Sequence, residues 1–241
     1  IANENRCLLA VFHNRRWDGD FLTIRNLIEE GRLGEVVHYE AHFDRYRLEV
    51  DGRWKEQEGA GGGIFCDLGS HLIDQALNIF GHPDEVLLNL GTQRIDAKQP
   101  DYFHLLMNYG ARRVILHGAT IVYESMPRYI IHGTGGSFIK TGIDPQEESL
   151  KQGRTPSSKG WGEELQENHG QLFCSSSRGD RNVSHVPTHL GQYQSFYDGI
   201  YKTLRNGAAS PMPLKDSLDV MRAIEFGMES WRQRSWVKWK P

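Results

Sequence analysis

The sequence predicts an α+β fold, an open and mainly antiparallel sheet with helices packed on one face. Three observations carry this expectation. The first part of the chain reads strand, helix, strand, helix, and a run of strand-length segments with short turns follows. Two helical patterns close the chain. The strand–helix alternation of a dinucleotide-binding domain is not sustained and no G-x-G-x-x-G occurs, so a Rossmann domain is absent from this chain.

Each element has its own reason. Residues 7–12 (CLLAVF) form an apolar run of strand length. A helix follows with Phe21, Ile24, Leu27 and Ile28 on one side; Asp18 or Asp20 caps its start, and Gly31 or Gly34 ends it. Next, Val37, Tyr39, Ala41 and Phe43 alternate with His38, Glu40, His42 and Asp44, the pattern of a half-buried strand. After the glycine run at 59–63, a helix over 67–80 stops at Gly81, with Pro83 just beyond. Strands are expected at 86–90, 102–109, 113–122 and 129–132, and residues 133–136 (GTGG) read as a tight turn, with a phosphate cradle as the alternative. Residues 142–187 are poor in aliphatic side chains and read as a loop-rich surface insertion with a short helix near 161–168. Helices over 190–206 and 214–231 follow, and Trp231, Trp236 and Trp239 read as packing residues. The whole of 1–241 is expected to be a single domain.

Composition narrows the function. With 38% apolar and 24% charged residues, 241 residues suffice for a sizeable core. A formal charge of −3 argues against a generally basic nucleic-acid binder and gives no polybasic membrane signal. No run of 18 apolar residues and no signal peptide is visible. The three cysteines are scattered, and neither C-x-x-C nor H-E-x-x-H occurs, so no disulfide framework or structural zinc site is expected. A reducing, cytoplasmic location fits these features; the lone sequon at Asn182 is of a kind that arises by chance.

The chemistry concentrates at residues 61–74, GGGIFCDLGSHLID. Wound as an α-helix, this segment puts Asp67, His71, Asp74 and Asn78 in one polar stripe opposite an apolar side. A carboxylate one turn from an imidazole orients it and raises its pKa, which suits proton transfer. The glycines leave room for close approach of ligands. A solvated helix face and a metal site built on Asp67 and His71 are the other readings. Residues 13–18 (HNRRWD) stand between a strand and a helix, where Arg15 and Arg16 supply fixed donors and Trp17 a stacking face, or merely a solvated turn. His189 and Tyr193, four apart at the start of a helix, line a pocket or simply cap and pack.

The run GGGIFCDLGSHLIDQALNIFG resembles the signature of the Gfo/Idh/MocA family of NAD(P)-dependent oxidoreductases, roughly GG, two or three residues, D-x-G-x-H-x-x-D, then a hydrophobic helix ending in Gly. NRRWDGDF with LIEEGRLGEV, IHGTGGSFI and PLKDSLDVMRAIEFGMES resemble further parts, so the likeness covers nearly the whole chain outside 142–187. The resemblance implies the C-terminal domain of a longer enzyme, a domain that binds substrate and builds an oligomer interface. It implies a sugar, polyol or related hydroxylated substrate, and NAD or NADP bound mainly by an upstream Rossmann domain. Asp67 and His71 match the family's active-site pair, with the histidine as proton acceptor or donor; Arg15, Arg16, Trp17, Asp74, His189 and Tyr193 become candidate substrate contacts. The family's E-K-P lysine is missing, and the sequence begins at Ile1, not Met. The expectation is therefore a chain that alone binds cofactor poorly, has no metal, nucleic acid or membrane partner, and forms a homodimer or higher homo-oligomer. The rival expectation is a non-enzymatic carbohydrate-binding or dimerisation module.

Overall fold

The structure, a computed structural model, describes residues 1–2, 4–175 and 180–240. In chain order the elements are α1 (Gly19–Glu29), β1 (Val36–His42), α2 (Ser70–Phe80), β2 (Glu85–Gly91), β3 (Tyr102–Tyr109) and β4 (Arg112–Ala119). They continue with β5 (Tyr129–Gly133), β6 (Gly136–Lys140), α3 (Gln146–Lys151), β7 (Gly170–Ser175), β8 (Arg181–Val186), α4 (Gln194–Asn206), α5 (Leu214–Gln233) and β9 (Val237–Lys238). The strands form one sheet in the order β8-β7-β6-β5-β1-β4-β3-β2-β9. Of these pairs, β1 with β4 is parallel and the others are antiparallel. The α+β class and the open, mainly antiparallel sheet are as the sequence predicts.

Period-two patterning in the strands builds the core. Tyr39 and Ala41 of β1, Leu105 and Met107 of β3, and Val114 and Leu116 of β4 are buried with Leu72, Ile73 and Ala76 of α2 and Val220, Ala223 and Ile224 of α5. Gly227 of α5 lies against Phe65 and Leu88, so the helix sits directly on β2. The alternate positions His38, Glu40, His104, Ile115 and His117 are only half-buried and occupy the other face of the sheet.

Several expectations need correction. Residues 7–12 form no strand; Leu8, Leu9, Val11 and Phe12 are exposed. Val37 is 40% exposed and Val36 is buried, because the β1–β5 register shifts between Val36 and His38 and turns the side chains over. Asp18, the N-cap of α1, makes no side-chain cap bond and is committed to Tyr193 instead, whereas Asp20 accepts from the first-turn amide of Phe21 at 2.6 Å. The segment 142–187 is loop-rich over 152–169, as expected, but it is not only a surface loop. It contributes β7 and β8 to the sheet, and Asp144, Gln146 and Trp161 are buried; its residues 176–179 lie outside the described residues. Near 161–168 only a three-residue 3₁₀ turn, Gln166–Asn168, forms. Trp231 and Trp236 are exposed, whereas Trp239 stacks on His82 at 4.7 Å between centroids.

The GTGG segment is the β5–β6 turn, with Gly133 paired to Gly136. Its amides are already used: Thr134 donates to the Glu35 carbonyl at 2.9 Å and Gly135 to the Leu33 carbonyl at 2.8 Å. That leaves the segment bound to the α1–β1 loop, and the phosphate-cradle alternative falls.

Candidate active site

Two short irregular helices place the chemistry. The first is a 3₁₀ turn, Asn14–Trp17, that leads into α1. The second is a π-helical turn, Phe65–Gly69, that leads into α2. Such i→i+5 turns are frequent at functional sites because the wider turn re-aims side chains. The chain enters it through Gly63, at φ +84°, where a Cβ would press on the Pro100 carbonyl oxygen at 3.0 Å. The Ile64 amide bonds that same carbonyl at 2.9 Å.

The π turn breaks the expected polar stripe. Asp67 remains half-exposed and pairs with Lys55, a residue the sequence did not single out. Asp74 is buried and receives the Arg16 guanidinium on both oxygens, Nε at 2.8 Å and Nη2 at 2.7 Å. Arg16 also reaches Asp216 of α5 at 2.9 Å. Asp74 therefore neither faces water nor touches a cleft; it ties the 3₁₀ turn to α2.

His71 stands beside His13, edge to face at 5.8 Å. Its Nδ1 is buried without a hydrogen-bond partner. Burial, followed by the charges of Arg15, His13 and Arg128, pushes its pKa down to about 3. This reverses the sequence expectation. Asp67 is taken by Lys55, and cations rather than a carboxylate dominate the field at the ring. His71 is a neutral imidazole at physiological pH.

Arg15 is buried and occupied. It donates to Asp18 at 3.4 Å and to the Tyr193 hydroxyl at 3.2 Å, and pairs with Glu147. Burial disfavours its charge, yet Asp18, Tyr193 and Glu147 outweigh that and hold its pKa above the ordinary arginine value. The Tyr193 hydroxyl donates to Asp18 at 2.8 Å. Asp18 itself is held well above the usual carboxylate range by burial. Gln75 of α2 fixes the arrangement: its Nε2 donates to the Arg15 carbonyl at 2.8 Å and its Oε1 accepts from Tyr129 at 2.9 Å. From the other side, Gln146 accepts from the Tyr193 amide at 2.8 Å and donates to the Trp17 carbonyl at 3.1 Å.

Trp17 is half-buried and packs edge-on against Phe196 of α4 at 5.7 Å. His189 is exposed and lies before α4, not on it; its amide donates to Thr23 at 2.8 Å. It forms no helical pair with Tyr193. The structure thus brings Asp67, His71 and Arg15 to one cleft of about 270 Å³, together with Asn14, Lys55 and Glu147. Arg45, Arg47, Arg53 and Lys151 complete its cationic rim. Arg16 and Asp74 lie behind this cleft as a buried pair, and Tyr193 behind Arg15. Sequence reasoning missed Lys55, Gln146 and Glu147, which come from segments without a motif, and Gln75, which directly follows Asp74 inside the signature run. The RYR at 45–47 was a visible signal, two cations two apart on the strand's extension.

The residues of the cleft fit the proton-handling half of a hydroxyl oxidation: a neutral imidazole with an unpartnered nitrogen, flanked by an acid and several fixed donors. Comparison with known proteins agrees in kind. A family model described as "Oxidoreductase family, C-terminal alpha/beta domain" (GFO_IDH_MocA_C) matches residues 25–239. Scyllo-inositol 2-dehydrogenase (NADP(+)) IolW of Bacillus subtilis is 45% identical over 234 residues, 97% of this chain and 65% of its own. The uncharacterized oxidoreductase YdgJ of Escherichia coli is 42% identical, over 98% of this chain and 67% of its own. The chain thus spans about two thirds of the length of these curated relatives. Among solved structures, YvaA from Bacillus subtilis superposes with a TM-score of 0.95 at 44% identity, covering 99% of this chain and 68% of that one. An oxidoreductase from Bacillus cereus superposes at 0.89 with 32% identity, covering 99% and 69%.

Proposed function

The chain belongs to the Gfo/Idh/MocA oxidoreductase family as its C-terminal α/β domain, and on that premise we propose that it is the substrate-binding domain of an NAD(P)-dependent sugar or polyol dehydrogenase with His71 as the proton acid/base. The observation that carries this reading is the neutral imidazole of His71 lining a cleft rich in fixed polar groups. The similarity to an inositol dehydrogenase supports a polyhydroxylated substrate.

A nicotinamide cofactor, when bound, supplies the hydride acceptor. The chain's own residues manage the rest. Lys55 presents a donor to substrate oxygens, and the carboxylates Glu147 and Asp67 present acceptors, Glu147 held in place by the buried Arg15. The substrate hydroxyl donates to the neutral imidazole of His71. Its proton passes to that ring as hydride leaves the same carbon, and the C–O single bond becomes a carbonyl. In the reverse direction the imidazolium returns the proton. Asp67 acts on substrate and Lys55, not by setting the basicity of His71. The same reading carries a small-molecule substrate and a homo-oligomeric assembly, which sedimentation of the intact protein measures. Among the described residues, no helix is long and apolar enough to cross a membrane.

The test is kinetic, in the intact protein screened with inositols, sugars and other polyols and with both NAD and NADP. His71→Ala lowers kcat by roughly 10²–10⁴-fold while circular dichroism stays unchanged. Near-normal turnover by the variant returns His71 to a mere surface role. Absence of turnover by the parent protein with every substrate, alongside measurable sugar binding, favours the non-enzymatic module.

A further inference from the structure

On the sheet face opposite α2 and α5, three histidines stand in a row across neighbouring strands. His42 of β1 pairs in register with His117 of β4, and His117 with His104 of β3. Asp44, just past the end of β1, turns its carboxylate into this row. His42 Nδ1 lies 3.3 Å from Asp44 Oδ2, and His117 Nε2 lies 3.5 Å from Asp44 Oδ1. One donor atom from each of His42, Asp44 and His117 falls within 4.8 Å of the other two.

These atoms want a partner. The Asp44 side chain is only 2% exposed and that of His42 9%. Yet His42 Nδ1 and both Asp44 oxygens are buried without a hydrogen bond, since the close approaches lack hydrogen-bond geometry. Buried carboxylate oxygens left so are costly. A tetrahedral ion with ligands near 2.1 Å has ligand–ligand edges of roughly 3.4 Å, which the two measured edges match. The surroundings suit one arrangement of the ring protons. His42 Nε2 is bonded to Glu40 Oε1 at 2.8 Å; with the ring hydrogen placed there, Nδ1 presents its lone pair on the Asp44 side, ready for an ion. His117 Nδ1 meets His104 Nδ1 at 3.4 Å, which leaves His117 Nε2 as the free donor.

We propose that His42, Asp44 and His117 bind one first-row divalent transition-metal ion, with Glu40 and His104 orienting the two imidazoles and the remaining coordination position left to water. Two imidazoles and one carboxylate are a donor set suited to Zn²⁺, Fe²⁺ or Co²⁺ rather than Mg²⁺ or Ca²⁺. The ion is independent of the proton-transfer reading at His71. It ties residues 43–47 to β4, reinforcing the Phe43–His117 and Arg45–Ala119 backbone bonds of 2.8 and 2.9 Å. It thereby steadies the segment that carries Arg45 and Arg47 to the cleft.

The experiment uses the intact protein stripped with a chelator and titrated with ZnCl₂ alone, by calorimetry and by metal analysis after dialysis. The expected result is one Zn²⁺ per chain at micromolar affinity or tighter, with a higher Tm. Asp44→Asn and His117→Gln each weaken binding more than 100-fold, and Glu40→Gln weakens it roughly 10–100-fold. Because a ligand variant can lose its fold, Co²⁺ is also bound to the parent protein, where visible d–d bands of a four-coordinate N/O site are expected. No saturable Zn²⁺ binding to the parent protein overturns the proposal. So does Zn²⁺ binding that folded Asp44→Asn and His117→Gln proteins retain, or bound Co²⁺ with only the spectrum of the hydrated ion.

Discussion

At the level of single side chains, the motif D-x-G-x-H-x-x-D announces its residue types but not their partners. Asp74 and Asp67 look alike in the sequence, yet one is locked to Arg16 and the other lies open beside Lys55. The deciding groups come from far along the chain: Asp216 on Arg16, Glu147 and Tyr193 on Arg15. Local spacing contains no information about them. Removing Asp74 leaves the buried Arg16 guanidinium with Asp216 alone, so Asp74→Ala is expected to cost about 3 kcal/mol, read from the urea midpoint. A cost below about 1 kcal/mol would show the pair to be screened like a surface bridge. His71 gives a pH signature. An unfolded imidazole takes up a proton as pH falls through about 6.5, whereas the folded one resists until about 3. The stability His71 contributes is therefore complete above pH 6.5 and is lost as pH falls toward 3, at up to about 1.4 kcal/mol per pH unit. His71→Asn is expected to flatten the stability profile between pH 6.5 and 4.5. Parallel profiles for the two proteins would remove the depressed basicity.

Among the elements, the long periodic ones were legible and the irregular ones were not. The strand expected at 102–109 is β3 to the residue, and α5 departs from its expected span only at the end. The helix expected over 67–80 is a π turn followed by α2, a change that apolar periodicity does not reveal because both turns bury Leu68 and Leu72. Val37 shows the same limit, since a single register shift reverses an otherwise clean alternation. Residues 142–187 misled through composition: polar side chains such as Asp144 and Gln146 are buried because they satisfy backbone groups of the 3₁₀ turn and α1, not because they are apolar. The β5–β6 turn supports a prediction at this level. A Cβ at Gly133 would strike the Leu33 carbonyl oxygen and come within 2.9 Å of the Glu35 carbonyl. Gly133→Ala is expected to destabilise by about 1–3 kcal/mol, measured by thermal or urea unfolding. An unchanged midpoint would mean that the α1–β1 loop is free to retreat.

For the molecule as a whole, the class of the sheet was legible but its strand order was not. Short turns pair β3 with β4 and β5 with β6, and the longer connection over 92–101 pairs β2 with β3. Hairpin logic also joins β4 to β5, and the structure puts β1 between them, parallel to β4. Nothing in the segment 36–42 specifies that intercalation beyond two faces able to pack. Protection should follow the order: amides of β1, β3 and β4 are expected to exchange slowest, and those of the exposed edge strand β8 orders of magnitude faster, in a hydrogen-exchange experiment on the intact protein. Uniform protection across the sheet would contradict this gradient. The central seat of β1 also bears on birth at the ribosome. About 70 residues separate the end of β1 from the start of β4, so at roughly 5–20 residues per second a nascent strand with two bare edges waits several seconds for its neighbours. During that interval its alternating histidines and acids, by keeping one side hydrophilic, are what protect it from sticking to other nascent chains.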